Sequence, residues 1–154
     1  MRKTELLMDG WVFSKDLENW QPVNLPHTWN AIDGTDGKND YYRGTCHYAR
    51  YLTKPELKDG EELWLEITGA AMTASVCVNG EKLCTHEGGY STFRVNLTDA
   101  LHGGENQLSI SVDNSKNDRV YPQKADFTFY GGIYRDVYLL TGGNAYIVPD
   151  GVQI

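Results

Sequence analysis

Apolar residues recur at every second position in three separate stretches, and this period constrains the fold more tightly than any other feature of the chain. Leu63, Leu65 and Ile67 alternate with Glu62, Trp64 and Glu66; Ala74, Val76 and Val78 alternate with Ser75, Cys77 and Asn79; Leu108, Ile110 and Val112 alternate with Gln107, Ser109 and Ser111. Successive side chains of an extended strand point to opposite faces, so each stretch reads as a strand with one face buried. Between Val78 and Glu81 stands Asn79-Gly80, the dipeptide that best supplies the two positive φ angles of a type I′ hairpin turn. The resulting register is expected to set Cys77 opposite Lys82 and Cys84 opposite Ser75. The two thiols would then lie diagonally, with Cβ atoms farther apart than the ~3.8 Å of a disulfide.

Glycine pairs and Asp-Gly steps punctuate the rest of the chain, at Asp33-Gly34, Asp59-Gly60, Gly88-Gly89, Gly103-Gly104, Gly131-Gly132 and Gly142-Gly143 among others. No capped segment of helical period appears. A single helical turn is expected around Leu97 to Leu101, with Asn96 or Thr98 as its cap. Many short strands, dense turns and almost no helix predict an all-β sandwich or barrel. With 154 residues the chain is the size of one domain with one core. Residues 1–143 are read as that domain. Residues 144–154, which become extended again and pass Pro149-Asp150-Gly151, are read as a linker or the start of a following domain.

Charge and cysteine content exclude several functions. A net charge of −7 with 14 scattered Lys and Arg residues opposes a phosphate backbone, so nucleic acid is set aside. Cys46, Cys77 and Cys84 have neither zinc-ligand spacing nor an even number, and are expected to be free thiols. Behind Met1-Arg2-Lys3-Thr4 the apolar run Leu6-Leu7-Met8 is too short for a secretion signal, and no stretch approaches the ~20 apolar residues of a membrane-spanning helix. Location is left undecided between cytoplasm and periplasm.

Four blocks break the alternation: Leu25-Pro26-His27-Thr28-Trp29-Asn30; Asp40-Tyr41-Tyr42-Arg43-Gly44; His86-Glu87-Gly88-Gly89-Tyr90-Ser91-Thr92-Phe93; and Asp126 through Val137, which contains Gly131-Gly132-Ile133-Tyr134-Arg135-Asp136. With the Val76 to Gly80 segment, the first, third and fourth occur in the order found in glycoside hydrolase family 2. The chain resembles the N-terminal, sugar-binding domain of that family, which comprises β-galactosidases, β-glucuronidases and β-mannosidases, from Trp11 to Leu140.

This resemblance implies a jelly-roll sandwich related to galactose-binding domains. It also implies a longer enzyme in which an immunoglobulin-like domain and a TIM barrel follow. Retaining hydrolysis needs two carboxyl groups roughly 5–5.5 Å apart across the glycosidic bond. None of the chain's glutamates lies in a strand-end motif of such a barrel, and no alternating βα units are present. The catalytic pair is therefore expected elsewhere in the parent glycosidase, and this chain is expected to be inactive alone. The resemblance assigns substrate binding to Asp126, which would hold sugar hydroxyls or a sodium ion beside them; magnesium is the other cofactor implied for the full enzyme, and none for this chain.

The resemblance also makes Asp40 the second substrate-binding candidate, in a loop that the family places toward the same pocket. For both, an aspartate that caps its own turn is the competing reading. Arg135 and Asp136 are read as a strand-borne pair that orders a loop, His86 and Glu87 as shaping the Gly88-Gly89 turn, and Trp29 and His27 as buried rather than stacked on sugar. Two alternatives to the pocket-rim role stay open. One is an independent carbohydrate-binding module with a planar row of aromatics on a concave face, and the other is a purely structural buttress.

Overall fold

A computed structural model describes residues 3–33, 35, 41–122, 124 and 128–143. They form ten strands: β1 (Lys3–Leu6), β2 (Trp11–Ser14), β3 (Gln21–Val23), β4 (Thr45–Thr53), β5 (Glu62–Ile67), β6 (Thr73–Val78), β7 (Glu81–Glu87), β8 (Phe93–Asn96), β9 (Glu105–Asp113) and β10 (Val137–Gly142). Two antiparallel sheets result, with strand orders β1-β10-β5-β8 and β3-β2-β4-β9-β6-β7. This is the jelly-roll sandwich. No helix is present among the described residues, and so none that would cross a membrane.

The period-two pattern decides which residues enter the space between the sheets. Leu63, Leu65 and Ile67 from β5 face Ala74, Val76 and Val78 from β6 and Leu108, Ile110 and Val112 from β9 in one cluster, all of them buried. Trp11 and Tyr48 are the largest side chains fully enclosed there. Each needs a partner for its polar tip. The Trp11 indole donates to the Leu7 carbonyl at 3.0 Å, and the Tyr48 hydroxyl is hydrogen-bonded to His27 Nδ1 at 2.7 Å.

The sheet edges carry features that discourage further pairing. β3 has Pro22 at its centre, β1 exposes Lys3 and Glu5, and β8 is only four residues long. The Asn79-Gly80 turn closes β6 on β7 with φ angles of 51° and 84°, as expected of type I′. Cys77 does pair with Lys82, but the predicted pairing of Cys84 with Ser75 is replaced by Cys84 with Val76, across a β-bulge. Leu83 is the extra residue. The shift lets both Leu83 and Cys84 pack against the core, an apolar gain that a regular ladder would deny to one of them. It also places Cys84 beside inward-facing Val76 and leaves Cys77 on the outer face, so the thiols are on opposite sides of the sheet rather than diagonal on one.

At Leu97 to Leu101 the expected single turn forms, with the Leu101 amide donating to the Leu97 carbonyl at 3.2 Å and Asn96 Oδ1 accepting from the Thr98 amide at 2.9 Å. Residues 144–154 lie outside the described residues.

Candidate functional site

At the end of the six-stranded sheet where β4 begins and β9 ends, three of the sequence blocks meet. Leu25 to Asn30 follows β3, Tyr41 to Gly44 leads into β4, and Thr128 to Ile133 precedes β10. Asn114, which lies in none of these blocks, joins them. Its side-chain amide donates to the Phe129 carbonyl at 2.9 Å, its Oδ1 accepts from the Gly44 amide at 2.9 Å, and its own carbonyl accepts from Arg43 Nε at 2.8 Å. Asn30 mirrors it. Asn30 Oδ1 accepts from the Gly131 amide at 2.7 Å, while its Nδ2 donates to the Tyr42 carbonyl at 2.9 Å and to Asp33 Oδ2 at 2.6 Å. Both asparagines are buried, at 1% and 0% exposure, where an amide without partners would cost about 1–3 kcal/mol. Here every loop supplies one.

Glycine chemistry locks the first block to the fourth. A Cβ on Gly131 would lie 1.9 Å from Trp29 Cζ2, and one on Gly132 would lie 2.3 Å from the His27 carbonyl oxygen. Gly132 also has φ +131°, a conformation that side-chain-bearing residues rarely adopt. The Thr28 hydroxyl donates to the Gly131 carbonyl at 2.7 Å, and the His27 amide to the Ile133 carbonyl at 2.8 Å. Trp29 is buried against Phe13 with its indole N–H donated to the Tyr42 carbonyl at 3.2 Å. Its faces are therefore closed to sugar. His27 packs 4.8 Å from the Phe13 ring, and burial holds its imidazole below the ordinary value.

Asp40 and Asp126 themselves lie outside the described residues, but residues that follow each of them do not. Tyr41 and Tyr42 come directly after Asp40, and Thr128 is two positions after Asp126. The backbone of Tyr42 is held by Asp33, Asn30 and Trp29, and that of Phe129 to Gly131 by Asn114, Asn30 and Thr28. The Arg43 guanidinium lies 5.0 Å above the Phe129 ring, a direct cation–π link between the two segments. The described residues that follow both candidates thus meet at one edge of the sandwich.

The other readings resolve individually. Arg135 and Asp136 precede β10 rather than lying on a strand, and each orders its surroundings. Arg135 reaches the Tyr90 carbonyl at 3.4 Å and stacks on Tyr134, while Asp136 accepts from the Tyr138 hydroxyl at 2.9 Å. His86 closes the Gly88-Gly89 turn through Ser91 at 3.0 Å and stacks on Phe93, and Glu87 pairs with Arg119. Asn114 escaped the sequence reading. A signal was available, because it continues the inward parity of Leu108, Ile110 and Val112, and a polar residue at a core position demands a hydrogen-bonding reason.

Residues 23–142 match the family described as glycosyl hydrolases family 2, sugar binding domain. The chain belongs to this family. A putative β-glucuronidase of Formosa agariphila is 41% identical over 80% of the family 2 chain, and a β-glucuronidase of Bacteroides fragilis is 39% identical over 96% of it. The chain covers 15% and 22% of those two proteins, respectively. Among solved structures, Bacteroides uniformis β-glucuronidase 2, covalently bound to cyclophellitol-6-carboxylate aziridine, superposes with a TM-score of 0.85 and 35% identity; the match covers 98% of this domain and 19% of that chain. The family 2 domain therefore spans about a fifth or less of the relatives described here.

Proposed function

We propose that this domain forms part of the substrate-pocket rim of a retaining β-glycosidase, of β-glucuronidase or β-galactosidase type, that removes terminal β-linked sugars. The meeting of Tyr42, which follows Asp40, with Phe129 to Gly131, which follow Asp126, at the Asn30–Asn114 hub carries this reading. A rim residue must be held within a fraction of an ångström to contribute to binding, and the hub holds the flanks of both loops by buried hydrogen bonds. Residues 1–143 would be the sugar-binding sandwich and residues 144–154 the passage to an immunoglobulin-like domain, with a TIM barrel beyond it carrying the two catalytic carboxyl groups. The covalent complex formed by the Bacteroides uniformis relative supports a mechanism with a glycosyl-enzyme intermediate in the parent protein.

In this scheme the domain breaks no bond. An Asp126 carboxylate accepts directed hydrogen bonds from vicinal sugar hydroxyls, and Asp40 approaches the same pocket from the neighbouring loop. Sodium beside the sugar would take the same carboxylate oxygens as ligands, and magnesium is the other hard cation suited to such donors. The described residues alone offer no set of three His, Cys, Asp or Glu side chains able to hold an ion, and no step is assigned to one.

Replacing Asp126 by Ala or Asn in the full-length enzyme tests the reading. A charge-assisted hydrogen bond is worth roughly 1.5–3 kcal/mol, so kcat/KM should fall at least tenfold. The stability of this domain should change by less than about 0.5 kcal/mol. Normal kinetics with a clear loss of stability would instead make Asp126 a structural turn residue and the domain a buttress.

A further inference from the structure

The outer face of the six-stranded sheet is a trough built from small side chains. In the β4–β9–β6 register, His47, Ser111 and Ser75 form one row and Ala49, Ser109 and Cys77 the next, with Tyr51 and Gln107 paired beyond them. Short residues in adjacent rows leave a depression that the pleat alone would not. Two clefts of about 300 and 310 Å³ occupy it, and they share Trp20, Ala49 and Gln107. Each is at the lower limit of ligand clefts, which run from ~300 to 1,000 Å³. Together they make one groove, and Trp20 lines both of its parts.

Trp20 is 41% exposed yet firmly held. Its indole N–H donates to the Leu17 carbonyl at 3.0 Å, which commits the polar edge and offers the faces. The loop beneath is bonded throughout: Ser14 Oγ accepts from the Leu17 amide at 2.9 Å, and Asp16 Oδ1 accepts from the Glu18 and Asn19 amides at 2.9 and 2.8 Å. Leu17 has φ +66°, a strained conformation for a residue with a side chain, and one that persists only where the surroundings impose it. An exposed aromatic presented by a strained, fully bonded loop is a preorganised platform.

The chemistry of the groove selects its occupant. Ten residues line the cleft shared by His47, Trp20 and the β9 serines, and none is Asp, Glu, Lys or Arg; the adjoining cleft holds one cation, Arg50, which is bonded to the Asp9 carbonyl at 3.1 Å and lies over the Trp11 ring. Burial lowers His47, so its ring is neutral at pH 7. In a chain of net charge −7, an anionic ligand would find no cation in the His47 cleft and repulsion around it. The hydroxyls of Ser109 and Ser111 and the side-chain amide of Gln107 face outward with no hydrogen-bond partner among the described residues. Neutral sugar rings satisfy both requirements, because a pyranose has a C–H face for an indole and hydroxyls for serine and amide groups. We propose that this groove binds a neutral oligosaccharide, with one pyranose stacked on Trp20 and its neighbour hydrogen-bonded to Ser109, Ser111 and Gln107. The site uses no residue of the Asn30–Asn114 hub and does not rest on the pocket-rim reading.

The test is a titration of the chain with uncharged β-1,4-linked glucose and galactose tetramers and with a glucuronate-containing tetramer. It is followed by the Trp20 indole N–H signal in NMR and by tryptophan fluorescence. At least one neutral tetramer should saturate the signal below about 10 mM, with the glucuronate tetramer at least tenfold weaker. Trp20→Ala should weaken binding at least tenfold with an unchanged thermal midpoint, and Ser109→Val with Ser111→Val should weaken it while Trp20 remains. The proposal is overturned if no neutral tetramer binds, if Trp20→Ala binds as well as the parent chain, or if charged and neutral tetramers bind alike. Self-association that Trp20→Ala abolishes, without sugar binding, would assign the face to a second copy of the chain and equally overturn it.

Discussion

Asn114 shows how one buried amide sets the position of loops that the chain itself places far apart. It bonds Gly44 and Phe129 directly and approaches Asn30 Oδ1 at 3.4 Å. Replacing Asn114 by Ala would remove its bonds to the Gly44 amide and the Phe129 carbonyl, so a loss on the order of 3 kcal/mol is expected in denaturant unfolding. A change below about 0.5 kcal/mol would show that water replaces the amide and that the hub is not what holds the loops. The buried imidazoles act at the same scale. Burial lowers His27, His47 and His86 from an ordinary value of 6.5. The unfolded chain then takes up protons that the folded chain refuses, so their contribution to stability is complete above 6.5 and is lost as pH falls toward the folded-state values. The thermal midpoint should be lower at about pH 5.5 than at about pH 7.5, and a flat profile over that range would contradict the burial of these rings.

At the level of elements, the β6–β7 hairpin separates what a turn dictates from what packing adds. Asn79-Gly80 sets the turn and the first two pairs, Val78 with Glu81 and Cys77 with Lys82. One residue later the bulge at Leu83 changes the register, because two apolar side chains on β7 can then reach the core. Cys77 and Cys84 are left on opposite faces, and Cys46 is fully buried on β4, with its thiol pushed up to about 12 by burial. All three are free. Unfolding without reductant should expose three titratable thiols per chain, whereas fewer than three would mean a disulfide that this register forbids.

Across the whole molecule, both sheets are committed to one core, and the features tied to ligand chemistry sit on its edge and outer face. The described residues form strands and turns only, with none of the alternating βα units of the barrel expected to carry the catalytic carboxyl pair. The chain alone should therefore leave chromogenic β-glucuronides and β-galactosides intact. Turnover that stays with the chain through repeated purification would refute the assignment of catalysis to another domain.

The sequence by itself determined the strands, the hairpin turn, the all-β class and the family, because each is written in local terms: a period of two, a pair of positive φ angles, or a block of adjacent residues. It also marked Gly131-Gly132 as special without saying why. Only the tertiary structure decided that these glycines are pressed against Trp29 and the His27 carbonyl, and that the Gly131 amide bonds Asn30, 101 positions away. Asn114, the Leu83 bulge and the Trp20 groove belong to the same class. Each depends on which surfaces meet once the sheets stack, and the free energy of that meeting lies in burial and in hydrogen bonds between distant segments, which no local pattern records.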